Sequence, residues 1–133
     1  MASIRREIQV AASAAAIWDA VRDVGEIHRR LVPGFVSDCR MDGDDARIVT
    51  FANGIVAREV IVDLDEAARR IVWSASGGRL THHNASLQVF AEDAGTSRLV
   101  WIADLLPNAM AAPIAAMIEE GMRAMKRTLE ANP

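Results

Sequence analysis

Residues 3–11 alternate between apolar and polar positions, with Ile4, Ile8 and Val10 on one phase and Arg5, Glu7 and Gln9 on the other. That pattern predicts a strand with one buried face, broken only by Arg6. Ser13 then offers an N-cap, and Ile17, Val21 and Val24 recur at helical spacing beside Trp18, which predicts a helix reaching Val24 and closed by Gly25. Residues 26–31 predict one further helical turn before Pro33 and Gly34 break the chain.

From Phe35 to Leu106 the pattern changes to strand after strand, expected at 35–42, 46–52, 55–65, 69–76, 80–91 and 97–106. The punctuation is Asp42-Gly43-Asp44-Asp45, Asn53-Gly54, Glu66-Ala67-Ala68, Gly77-Gly78 and Asp93-Ala94-Gly95. Gly, Asn and Asp tolerate positive φ or bond their own backbone, and turns this short join antiparallel neighbours. A helical period returns at the C-terminus, where Ile114, Met117, Ile118, Gly121, Met122, Met125 and Leu129 form one stripe. Pro113 fits only the first turn, so that helix is expected to begin at Ala111 or Ala112. The order predicts an α+β fold: a seven-stranded, curved antiparallel sheet wrapped around a long C-terminal helix, with one or two short helices after the first strand. Such a sheet leaves a hollow against the helix.

The chain of 133 residues suits a single domain spanning 1–133. Eighteen acids against fifteen bases give a net charge of −3, so no positive field collects phosphate backbones and nucleic acid is not an expected partner. One cysteine, Cys39, allows no internal disulfide and no cysteine-rich metal site, which together with the missing signal and spanning segments predicts a cytoplasmic protein. Glu7 and Gln9 interrupt what would otherwise read as a signal core, and no window approaches a spanning helix, so membrane insertion is not expected. Tyrosine is absent altogether.

Chemistry has few candidates. His82 and His83 are successive strand residues and point to opposite faces, so they cannot chelate one ion; no metal and no cofactor is expected. Stepping back by twos from Leu87 and Val89 makes His83 the inward one and His82 the solvated one, with His28 expected at the surface. In strand 55–65, Arg58, Val60, Val62 and Leu64 form one phase and Glu59, Ile61 and Asp63 the other. Hydrophobicity favours the first phase facing inward. Either choice brings an ionisable group, Arg58 or Glu59, towards the interior, unless the two belong to an ion pair on the sheet surface. Asp104 sits in an otherwise apolar strand, at the rim or in a polar pocket. Trp73 and Trp101 supply flat area for a pocket wall or a core. Met117 and Met125, with Met110 and Met122, offer a pliable apolar wall. Gly121, in the middle of the stripe, costs roughly 1 kcal/mol of helix propensity; it either leaves space for a ligand or permits close backbone packing. Cys39 alternates as a buried thiol would. No GxGxxG, GxxxxGK[ST], HExxH or GxSxG motif is present.

The element order now meets several local strings: Ala15-Ala16-Ile17-Trp18-Asp19-Ala20-Val21, Leu31-Val32-Pro33-Gly34-Phe35-Val36, residues 58–66, Arg69-Arg70-Ile71-Val72-Trp73, the tryptophan strand ending at Pro107, Gly121-Met122 and Lys126-Arg127. In these the chain resembles the START-like helix-grip superfamily (SRPBCC), specifically its bacterial polyketide cyclase/dehydrase and lipid transport proteins, over residues 3–131. The middle is also similar to plant abscisic-acid receptors, through Glu59, Leu64-Asp65-Glu66 and a shorter Gly77-Gly78-Arg79-Leu80 latch. That similarity implies an inward Glu59 and an inward His83; a plant-hormone role does not follow. The superfamily resemblance implies a cavity that carries a lipid, polyketide or isoprenoid-like molecule, walled by Trp73, His83, Trp101, Glu59, Met117, Gly121 and Met125. It equally implies, as an alternative, a polyketide cyclase or dehydratase in the same cavity. Without tyrosine, catalysis there would rest on His83, Glu59, Arg58 or Asp104 as general acid or base. A third reading is a protein-interaction module that pairs through its sheet, with a homodimer as one form.

Overall fold

In the computed structural model, which describes residues 2–133, the first strand β1 runs Ala2–Val10 and two short helices follow, α1 at Ala14–Val21 and α2 at Ile27–Arg30. Six strands come next: β2 Val36–Met41, β3 Ala46–Phe51, β4 Val56–Asp65, β5 Arg70–Ser76, β6 His82–Asp93 and β7 Thr96–Leu106. After a 3-10 turn at Asn108–Met110, the long helix α3 occupies Ala111–Ala131. All seven strands form one antiparallel sheet in the order β1-β7-β6-β5-β4-β3-β2. Every hairpin therefore joins sheet neighbours, and β1 and β2 are left as the two edges, linked through α1 and α2. This is the helix-grip arrangement expected from the element order. No helix among the described residues is long and apolar enough to cross a membrane.

Ser13 Oγ accepts the Ala16 amide at 3.2 Å and caps α1. The helix stops at Val21 instead of running on to Val24. Its continuation would hold the Val24 carbonyl on the helix axis, whereas that oxygen accepts from Arg47 Nη1 at 3.1 Å and lies 3.6 Å from Cys39 Sγ. Burial raises the Cys39 thiol above its ordinary range. The sixth strand starts two residues later than its apolar pattern implied, because Leu80 and Thr81 belong to the connection: Leu80 N–H reaches the Gly77 carbonyl and Thr81 N–H the Leu106 carbonyl.

α3 buries Ile118, Gly121, Met122, Met125 and Leu129. They share one contiguous core with inner-face residues Ile71, Trp73, Leu87, Leu99 and Leu105 of the sheet. β4 departs from the hydrophobic count. Ala57, Glu59 and Ile61 occupy the inner phase, then a bulge between Ile61 and Asp63 shifts the register so that Leu64 takes it up again. Val62 is thrown outward and is 57% exposed. Unbroken alternation back from Leu64 would put Arg58, Val60 and Val62 inside, and one extra residue in the strand reverses that.

Candidate functional site

Polarity on the inner face gathers in one row across four strands. Arg47 of β3 is the cross-strand partner of Glu59 of β4, and Glu59 is that of Ala75 of β5. His83 of β6 completes the row, its Nδ1 accepting the Ala75 amide at 3.0 Å. Arg47 Nε donates to Glu59 Oε1 at 2.8 Å, with both side chains buried. The guanidinium also lies 5.9 Å from the Trp73 ring centroid. A buried ion pair holds only when each charge is matched, and the Val24 carbonyl supplies Arg47 with a further acceptor. Among the described residues no hydrogen bond reaches the second Glu59 oxygen.

Burial holds the His83 imidazole below the ordinary histidine range, with Glu59 pulling the other way and His82 adding to the lowering. A neutral ring whose Nδ1 accepts an amide carries its proton on Nε2. The row therefore offers a ligand one N–H donor and one carboxylate acceptor, on either side of Ala75 in a largely apolar setting.

That setting is a cavity of about 450 Å³ between the sheet and α3. Its walls include Ile27 of α2 and Leu31 just after it, Ile71, Trp73, Leu87 and Trp101 from the sheet, and Ile114, Met117, Ile118 and Met125 from α3. The two tryptophans meet edge to face, 5.7 Å between centroids. On the open side Ile55 and Val56 line the cavity while remaining about half exposed, near the Gly77–Leu80 connection and Pro113.

Trp73, Trp101, His83, Glu59, Met117 and Met125 thus stand together around one hollow. Three other candidates do not join them. Arg58 is exposed on the outer face, its Nε 2.9 Å from Asp42 Oδ2, because the phase that puts Glu59 inside puts Arg58 outside. Asp104 alternates with the buried Ala103 and Leu105, faces outward and accepts from Ser3 Oγ at 2.5 Å. Gly121 is absent from the cavity wall: a β-carbon there would stand 3.0 Å from Trp101 Cζ3 and 3.2 Å from Phe35 Cε2, so the missing side chain is filled by rings. His82 is exposed; His28 is half-buried instead of solvated, and its Nδ1 is enclosed without a partner among the described residues. Among those residues no three His, Cys, Asp or Glu side chains gather as metal ligands would.

Arg47 is the polar cavity residue that hydrophobic patterning missed. A signal for it exists. The Asn53-Gly54 turn pairs Phe51 with Ile55, and counting four residues outward on each strand sets Arg47 opposite Glu59.

The sequence matches the family described as polyketide cyclase / dehydrase and lipid transport over residues 1–130. No curated protein matches the chain. Among solved structures, a protein from Thermobifida fusca is 30% identical, with a TM-score of 0.77 and coverage of 98% of this chain and 91% of that one. BexL, the di-domain aromatase/cyclase (ARO/CYC) of the BE-7585A biosynthetic pathway, is 20% identical with a TM-score of 0.78. It covers all of this chain, which spans 48% of BexL. A START superfamily protein from Mycobacterium smegmatis is 15% identical with a TM-score of 0.71, covering 97% of this chain and 94% of that one. At such identities the last two show the fold alone. The chain belongs to the polyketide cyclase/dehydrase and lipid transport family.

Proposed function

We propose, from that family membership, that the protein binds or carries a small hydrophobic molecule of lipid, polyketide or isoprenoid type in the cavity between sheet and C-terminal helix. The observation that carries this reading is the cavity itself: about 450 Å³ of largely apolar space, in the range of small-molecule sites, with the Arg47, Glu59 and His83 row inside it and Ser76 and Arg79 also in its wall. A ligand that fits has an apolar body and one oxygen function, a carbonyl facing His83 Nε2–H or a hydroxyl facing Glu59. Titrating medium-chain fatty acids, isoprenoid alcohols and aromatic polyketides while following the fluorescence of Trp73 and Trp101 tests the reading. Saturable quenching by at least one class is the expected result; no response to any class, with native mass spectrometry also blank, overturns it.

A second reading is favoured by the donor and acceptor standing in one row, on either side of Ala75. The Glu59 carboxylate is placed to take a proton from a polyketide-like substrate while His83 Nε2–H hydrogen-bonds the carbonyl that gains charge, an arrangement suited to cyclisation or dehydration. In that case His83→Ala or Glu59→Gln abolishes turnover while binding persists, and unchanged turnover in both variants refutes the enzymatic reading.

A further inference from the structure

The inner cavity shares two of its wall residues, Phe35 and Phe51, with a second, more open hollow also of about 450 Å³. The rings meet edge to face at 5.4 Å and form the seam between the two spaces. The outer hollow is floored by α3 and walled by Gly34, Ala52 and Asn53, with Glu120, Arg123 and Arg127 from the helix. Nearby, Lys126 is spent on Glu130, and Arg6 on Glu119. Among the described residues Arg123 and Arg127 make neither an ion pair nor a side-chain hydrogen bond. Their spacing of four residues puts two guanidiniums on one helix face, where like charges repel. Arg127 Nη2 reaches within 3.9 Å of where a β-carbon on Gly34 would stand. Across the hollow, Asn53 commits its Oδ1 to the Ile55 amide at 3.0 Å, which leaves its NH₂ as a donor. Glu120 is the single acid in the wall, so one positive charge remains unmatched.

We infer that this outer hollow is an oxyanion subsite, in which Arg123, Arg127 and Asn53 hold the carboxylate or phosphate head of an amphipathic molecule whose apolar body lies beyond the Phe35–Phe51 seam in the inner cavity. Two guanidiniums at helical spacing suit bidentate contacts to such a head, and filling the gap between them removes their mutual repulsion. The assignment requires Phe51 to turn aside and admit the chain, since Phe35 is packed against Gly121 of α3. The apolar half of this assignment rests on the cavity reading above; the anionic half stands on the hollow alone.

The test compares decanoate, decyl phosphate and decanol on the intact protein and on an Arg123→Gln/Arg127→Gln variant, whose changed residues are exposed and unpaired. The expected result in low salt is binding of the two anions about tenfold tighter than the alcohol, a preference that shrinks in high salt and in the variant. Equal affinities for anions and alcohol, or a preference untouched by the double substitution, overturns the subsite while leaving the cavity reading intact. Inorganic phosphate provides the arm that does not depend on the cavity: it should shift the amide resonances of Gly34 and Asn53 in the wild type and not in the variant, and no shift overturns the subsite. If decyl phosphate binds no tighter than inorganic phosphate, the head is a free anion and the amphipathic assignment fails.

Discussion

Arg47 and Glu59 set the polarity of the cavity, and their value to the fold is conditional. Either one alone in this interior is an unpaired buried charge, which typically costs about 3–5 kcal/mol, whereas an apolar pair of similar volume is often tolerated. Arg47→Met and Glu59→Leu are each expected to lower the unfolding free energy by about 3 kcal/mol, and the double variant to be more stable than either single one. Urea denaturation of the four proteins measures the coupling; strictly additive losses would show that the two side chains do not depend on each other. The same pair marks the limit of reading residues singly. His83 could be placed by counting in twos from Leu87 because β6 alternates regularly around it, and the structure puts it in the cavity wall with His82 exposed. Glu59 was legible only from the resemblance, and Arg47 only through its partner across the sheet, since cross-strand register is a property of the hairpin and not of either residue.

At the scale of elements, regular local pattern was legible and its interruptions were not. The strands, their turns and the start of α3 at Ala111 follow from alternation, turn chemistry and Pro113. The bulge in β4 left no mark in the apolar pattern, because Val60, Val62 and Leu64 read as a normal inward phase until the extra residue is known. Gly121 shows how packing between elements decides a residue that propensity argues against. Alanine there gains roughly 1 kcal/mol of helix propensity. Its β-carbon, however, would press on Trp101, held by Trp73, and on Phe35, held by Phe51. Forcing an atom into so packed a contact typically costs 1–3 kcal/mol. Gly121→Ala is therefore expected to destabilise the protein by about 1 kcal/mol, visible as a lower thermal midpoint; a rise would mean that the rings yield freely and that the glycine has no packing role.

For the whole molecule, the hollow and the fold's stability work against each other. A curved sheet that leaves about 450 Å³ open in front of its helix forgoes the contacts a filled core would make. Curvature and ring placement, both set by long-range packing, create that space, which is why element order could imply a hollow without giving its walls. The forgone stability is recoverable in two ways, by a ligand or by a larger side chain. A ligand present at a hundred times its Kd adds about 2.7 kcal/mol, because it binds the folded state alone. Ala75→Leu, beside Glu59 and His83 in the wall, puts three more carbons into the space while leaving the Ala75 position's backbone N–H to His83. At about 0.8 kcal/mol for each buried methylene, less the strain of fitting it, the variant is expected to be about 1 kcal/mol more stable than wild type without ligand. It should also lose most of the ligand-induced rise in thermal midpoint. The two effects belong together: a variant that is stabilised yet still gains the full increment from ligand would put the binding site somewhere other than this cavity, and a variant that is destabilised would mean that the space is already closed to a side chain of that size.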